Sequence, residues 1–303
     1  GTLELFTGNK SIRPIYKAIA PVWEVNHIWL ILAVVIVFNG FPNIYAELST
    51  SLHIPLFIIL LGIIMRGTAF TFRHYDAKQG KSQFYYNLFF RASSVLTSFF
   101  LGIVLGAMIL GQMTNSVNVS FPERFIFSWL HPFCISVGFF TTTLFAYIAS
   151  VYIIGETQDL KEQNYFAKIT RLFCFATILL GGLVLFLGLL YKAPFMLSFF
   201  SHKISLVCFG LVTVLLPFIW LSLKNLNTTR IRILVALQVG LIMAGWAFIQ
   251  LPTIIYLKSG NHLTVFNTAA GDATLYYLTI ALIIGSILIF PSLYYLFRVF
   301  KKM

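Results

Sequence analysis

The chain has 303 residues, of which 59% are hydrophobic and 10% charged, and its net charge is +12. Soluble domains carry about a quarter charged residues, so this composition, with a mean hydropathy of +0.88, excludes a water-soluble domain. The basic residues lie between the apolar runs, which is typical of a membrane topology signal. We therefore expect membrane lipid, and no nucleic acid, as a partner.

Eight apolar runs of membrane length follow one another along the chain. They cover residues 28–46, 55–72, 86–113, 126–154, 172–191, 204–223, 232–256 and 274–298. A β-barrel would show short alternating strands, whereas residues 173–191 are apolar on every face of a helix. The sequence predicts an all-α polytopic membrane protein in which residues 1–303 form a single integral membrane domain. The longest polar segments, 73–85, 114–124, 155–171 and 257–273, are predicted loops.

The distribution of basic residues predicts the topology. If the eight helices alternate, one side receives sixteen of the 21 Lys and Arg residues and the other side four, with Arg66 inside a span. Because cytoplasmic loops are enriched in Lys and Arg, we expect both ends of this chain, including the C-terminus, in the cytoplasm.

Most acidic residues are predicted to lie outside the membrane. We expect loop positions for Glu4, Asp76, Glu123, Glu156, Asp159 and Glu162. Glu24 differs, since it follows Pro21 in the first turns of a span, on one helix face with His27, while Trp23 shares a face with Asn26. Two interpretations of Glu24 stay open: a proton-conducting or cofactor-neutralising carboxylate, or a helix-start acid that interacts favourably with the helix dipole.

Arg66 lies deep in the second predicted span, in the sequence FIILLGIIMRGTAF. An unpaired charge inside a bilayer is costly, so Arg66 requires a carboxylate, a cofactor carboxyl group or a lined cavity. The alternative is an arginine that snorkels to the cytoplasmic interface.

Other candidate sites are weaker. His131 opens the fourth span and is expected to be an interfacial group rather than a ligand. Cys134, Cys174 and Cys208 lack any metal-binding or disulfide spacing, so no metal site is predicted. Gly102 and Gly106 form a GxxxG motif that is typical of close helix packing.

Three stretches together resemble subunit II of the cytochrome bd-type quinol oxidases. They are AIAPVWEVNHIWLI (18–31) with FPNIYA (41–46) and MRGTAFTFR (65–73), then WLHPFCISVGFFT (129–141), then AGWAFIQLPTII (244–255) with NTAAGDATL (267–275). The matching positions are Pro21, Trp23, Glu24, Asn26, Trp29, Pro42, Tyr45, Arg66, Gly67, Phe70 and Arg73. Glu24 stands where many members have Asp, which preserves the carboxylate.

The resemblance implies a terminal oxidase of a bacterial or archaeal cell membrane that oxidises quinol and reduces dioxygen to water. This chain would not be catalytic alone. It would dock and shield the haem-bearing subunit I, which holds haem b and haem d, and help to conduct protons or dioxygen. Small single-helix subunits and a structural quinone or lipid are further partners that the family allows.

The resemblance also assigns roles to residues. Glu24, with His27 and Asn26, belongs to a proton path to the haems. Arg66 and Trp23 are cofactor-binding, with Arg66 neutralising a haem propionate or Glu24.

The family fold has two four-helix bundles plus a peripheral helix. Because the family opens with one further helix, we expect a ninth span before residue 1. The competing hypothesis is a secondary transporter or channel lined by Glu24 and Arg66, although no matched inverted repeats support it.

Overall fold

The computed structural model describes residues 1–7, 23–75, 82–114, 116, 119–157 and 159–301. The side chains of residues 23–27, 74, 75, 82, 297 and 299–301 lie outside this description. The elements are α1 Thr2–Thr7, α2 Trp23–Gly40, α3 Pro42–Ser51, α4 His53–Tyr75, α5 Ser82–Leu110, α6 Phe121–Phe125, α7 Pro132–Glu156, α8 Leu160–Leu190, α9 Pro194–Phe199, α10 Lys203–Lys224, α11 Thr228–Gln250, β1 Thr253–Ile255, β2 Leu263–Thr264, α12 Val265–Thr268 and α13 Asp272–Lys301.

The prediction of an all-α polytopic membrane protein is confirmed. Within the described ranges, seven continuous helices are long and apolar enough to cross a membrane: α4, α5, α7, α8, α10, α11 and α13. Helices α7, α8, α10 and α11 close into a four-helix bundle, because each packs against two of the others. Helix α5 packs on α7, α4 packs on α5, and α2 pairs with α13 on the outside.

The first predicted span, 28–46, is not one straight helix. Helix α2 ends at Gly40, and α3 leaves it at an angle of 114°. Pro42 occupies the first turn of α3, where its missing N–H costs nothing, and a proline disfavours helical geometry in the preceding residue. Phe41 accordingly has a φ of −140°, so the FPNIYA motif forms the corner between two helices.

Several helices differ in length from the apolar runs. The predicted loop 155–171 is wrong over most of its length, because α8 begins at Leu160. The Asp159 side chain accepts a hydrogen bond from the Lys161 backbone N–H at 3.1 Å, which caps this polar start. At the other end of the bundle, the predicted span 126–154 begins as a helix only at Pro132.

The segment 251–271 forms a small layer over the end of the bundle. The predicted loop 257–273 contains part of an antiparallel β1–β2 pair and the short helix α12. The layer is tied to the end of α5, since the Tyr256 N–H donates to the Met108 carbonyl at 2.9 Å and the Lys258 N–H donates to that of Met113 at 2.8 Å.

The GxxxG motif packs as predicted. A Cβ on Gly102 would lie 2.7 Å from the Gly138 Cα, and one on Gly106 would lie 2.8 Å from the Cys134 Cα. Glycine at these two positions allows the α5 and α7 backbones to approach closely, and this contact joins the α4–α5 pair to the four-helix bundle.

Candidate functional site: a buried charge cluster

A carboxylate with no solvent exposure, Glu4, lies on the short helix α1 between two arginines. The Arg73 Nη1 donates to Glu4 Oε1 at 3.4 Å, and Arg91 Nε lies 3.6 Å from Oε2. Arg73 comes from the end of α4 and Arg91 from the beginning of α5. One carboxylate therefore connects three helices.

Helix α1 is held in place by apolar contacts on both sides of Glu4. Leu3 is buried in the core of the four-helix bundle, and the Phe6 ring meets Phe173 of α8 edge-on, with centroids 5.1 Å apart. Because α1 packs against α5 and α7, the Glu4 side chain is enclosed by protein. Its position in a loop, as predicted from the sequence, is wrong.

Arg66 belongs to the same cluster. It lies seven residues before Arg73 on α4, and therefore on the same helix face. Both guanidinium groups lie against the ring of Phe90 on α5, with the Cζ atoms of Arg66 and Arg73 at 6.0 and 5.7 Å from the ring centroid. The Nε of Arg66 is buried without a hydrogen-bond partner, and no carboxylate of the described residues lies within 4 Å of its side chain.

The cluster contains more positive than negative charge. Among the described residues, the cluster holds three arginines and one carboxylate, and only Arg73 and Arg91 lie within 4 Å of that carboxylate. The Nε of Arg91 and the Oδ1 of Asn87, one turn earlier on α5, are also buried without a hydrogen bond. Buried polar atoms normally have partners, so the arrangement is suited to receiving a further anion or a polar group.

The predicted site residues at the start of α2 are only partly described. The α2 backbone begins at Trp23, which agrees with a helix start after Pro21. The side chains of Trp23, Glu24, Asn26 and His27 lie outside the described residues. Pairing of Arg66 with Glu24, and the roles of these four residues, therefore remain predictions.

His131 lies at the opposite end of the bundle and caps α7. Its Nδ1 accepts a hydrogen bond from the Phe133 N–H at 3.2 Å, and its ring contacts Tyr191 edge-on at 4.4 Å. Burial lowers the pKa of His131, which favours the neutral ring that this cap requires. Within the described ranges, no group of three or more His, Cys, Asp and Glu residues could hold a metal ion.

A second polar contact lies within the four-helix bundle. The Tyr147 hydroxyl donates to Gln238 Oε1 at 3.1 Å, which joins α7 to α11, and both residues are buried. Cys174 of α8 interacts with the same hydroxyl. Cys174 is a free buried thiol at this contact.

Glu4 and Arg91 were missed as site residues by sequence reasoning. Glu4 precedes the first apolar run, and Arg91 was counted only as a topology signal. The segment TLELFT could have indicated a short helix around Glu4, because Leu3 and Phe6 are three residues apart and lie on one helix face.

The fold defines an integral membrane protein, and its buried charges lie where α1, α4 and α5 meet. The family model for cytochrome bd terminal oxidase subunit II matches residues 1–300. The chain therefore belongs to the family of cytochrome bd terminal oxidase subunit II, and it is a subunit of an oxidoreductase complex.

Two relatives and one solved structure illustrate the similarity. The chain is 25% identical over 314 residues to the cytochrome bd ubiquinol oxidase subunit 2 of Bacillus subtilis, which covers 100% of this chain and 88% of that protein. It is 24% identical over 188 residues to the cytochrome bd-I ubiquinol oxidase subunit 2 of Escherichia coli K12, covering 58% and 48%. The structure of bd oxidase from Geobacillus thermodenitrificans matches with a TM-score of 0.75 and 18% identity, over 96% of this chain and 88% of that chain, which shows the same fold.

Substitution of Glu4 tests the charge cluster. Glu4→Gln preserves the side-chain shape but removes the negative charge between Arg73 and Arg91. Breaking a buried ion pair by removing one partner costs about 3 to 5 kcal/mol, so the unfolding midpoint of the purified complex should fall clearly.

Glu123→Gln is the matched control. It breaks the ion pair with Lys258, in which Lys258 Nζ lies 2.8 Å from Glu123 Oε1 and the two side chains are 54% and 40% exposed. Surface pairs of this kind contribute at most about 1 kcal/mol. Equal midpoints for the Glu4 and Glu123 variants would contradict a structural role for the Glu4 cluster.

Proposed function

We propose that this chain is the subunit II that docks and shields a haem-bearing subunit I in a quinol oxidase that reduces dioxygen to water. Membership of the family supports this proposal, and so does the similarity of this whole chain to a ubiquinol oxidase subunit of Bacillus subtilis. The transporter hypothesis is not favoured, because the whole chain matches an oxidase family.

The haems are assigned mainly to subunit I in this proposal. Haem b and haem d bound there would supply the electron-transfer chemistry between quinol and dioxygen. A haem also presents propionate carboxylates, and the buried, unpartnered Nε of Arg66 fits such a group, because guanidinium and carboxylate form paired hydrogen bonds. Arg66 would hold a propionate or the carboxylate of Glu24.

The observation that carries the proposal is the position of Arg66. Its guanidinium lies on the packed side of α4, over Phe90, in the MRGTAFTFR segment that resembles the family. Glu4 is engaged by Arg73 and Arg91, so in this proposal the charge of Arg66 is balanced by a haem propionate of subunit I or by Glu24.

Glu24 is proposed to act as a proton carrier with His27 and Asn26, and Trp23 to line the cofactor side. The start of α2 at Trp23 supports a place for these residues where the helix enters the membrane. A carboxylate there can take up and release a proton towards subunit I without a large movement of the backbone.

The basic end of the bundle is proposed to face the cytoplasm, together with the C-terminus, in a bacterial or archaeal cell membrane. The surroundings of the chain would then include subunit I, lipid and quinol, with small single-helix subunits and a structural quinone as further partners.

Arg66→Leu tests the proposed contact with subunit I. The variant removes the charge that would neutralise a carboxylate, so we expect poor assembly or a loss of the b-type haem signal in the reduced-minus-oxidised spectrum. Arg66→Lys keeps the charge and should retain part of the signal.

Arg124→Leu is the matched control, because Arg124 also lies over a phenylalanine ring, at 5.3 Å from that of Phe125, but at the opposite end of the bundle. A fully assembled Arg66→Leu complex with an unchanged spectrum would show that Arg66 holds no partner carboxylate.

Glu24→Gln tests participation in proton transfer. The amide keeps the size and hydrogen-bonding capacity but cannot exchange a proton, so the complex should assemble while steady-state quinol oxidation slows. Glu24→Asp should have a mild effect, since the carboxylate is retained. Haem content is measured on the same samples, and normal turnover of an assembled Glu24→Gln complex would remove Glu24 from the proton path.

A further inference from the structure

A second group of cations lies on the outer surface of the four-helix bundle, where α8 meets α10. The Cζ of Arg171 on α8 lies 5.7 Å from the ring centroid of Trp220 on α10. The Arg171 Nε is buried and has no hydrogen-bond partner. Trp220 is 51% exposed, so this cation–π pair lies at the surface of the chain.

Two exposed lysines lie one helical turn away from this pair. Arg171 lies early in α8 and Trp220 late in α10, so the two helices run antiparallel at this contact. Lys168 comes three residues before Arg171, and Lys224 comes four residues after Trp220. Both lysines are therefore displaced towards the same basic end of the bundle, Lys168 by about 4.5 Å and Lys224 by about 6 Å along the helix axes.

Acidic residues do not neutralise these cations in the described part of the chain. None of the three has a carboxylate within 4 Å there. Glu156, at the end of α7, is engaged by Arg232 at 3.0 Å. The α8–α10 boundary therefore carries an uncompensated positive charge.

Exposed apolar side chains continue the site towards the membrane interior. Leu172 and Phe175 of α8 follow Lys168 at helical spacing, on the same helix face, and both are more than half exposed. Leu221 of α10 is exposed beside Trp220. A phospholipid has these same features in reverse, since its phosphate headgroup is attracted by cations beside an interfacial tryptophan. Its acyl chains match the apolar side chains that continue from those cations along α8.

We propose that Arg171, Lys168 and Lys224, with Trp220, form a binding site for the phosphate group of a negatively charged phospholipid. The lysines attract the headgroup, and Arg171, held over the Trp220 ring, donates to the phosphate oxygens. The acyl chains lie along Leu172 and Phe175. The site is separate from the Glu4 cluster and does not depend on the proposed role of Arg66 or Glu24.

The test uses the purified oxidase complex in phosphatidylcholine nanodiscs that contain increasing amounts of phosphatidylglycerol. Native mass spectrometry counts the phosphatidylglycerol that the complex retains. Each removed charge should weaken retention about fivefold, so Arg171→Gln should lower it about fivefold and Lys168→Gln with Lys224→Gln further.

Arg230→Gln is the matched control, because Arg230 is an exposed arginine at the start of α11, at the same end of the bundle. It should retain phosphatidylglycerol like the wild type. Equal retention by the Arg171 and Arg230 variants would overturn the proposal, and so would loss of subunit I from an Arg171→Gln complex that still retains the lipid, since a protein partner would then occupy the site. The unfolding midpoint of each variant confirms that the bundle is intact.

Discussion

The carboxylate of Glu4, enclosed without solvent contact between Arg73 and Arg91, links parts of the chain that are distant in sequence. An isolated charge would be strongly unfavourable there, because desolvation in a low-dielectric interior costs several kcal/mol. The pairing therefore requires α1, the end of α4 and the start of α5 to occupy fixed positions. Arg66 is presented next to this cluster on the same face of α4, where its charge is available to a partner.

The sequence predicted the fold class because a membrane imposes length and apolarity on each span. Hydropathy alone did not predict the corner at Phe41, since the apolar run continues through Pro42 into α3. Nor did it predict the start of α8 at Leu160, because the first turns of this helix are polar and project beyond the apolar region. Helix ends outside the membrane depend on caps such as Asp159, which hydropathy does not register.

The candidate site could be predicted in part. Arg66 stood out because a charge in the middle of a span is costly, and its motif carried the family resemblance. Glu4 was overlooked, because hydropathy does not reveal that a short segment folds back between helices. Its burial follows from the contacts of Leu3 and Phe6 with the bundle, which are tertiary contacts with α7 and α8.

A double-mutant cycle on Glu4 and Arg73 tests most directly whether this pair holds the helices together. The unfolding midpoints of the complex are measured for Glu4→Gln, Arg73→Gln and the double variant. Coupled residues show interaction energies of about 0.5 to 3 kcal/mol, so the double variant should lose clearly less than the sum of the two single losses. Additive losses would contradict a direct interaction between Glu4 and Arg73.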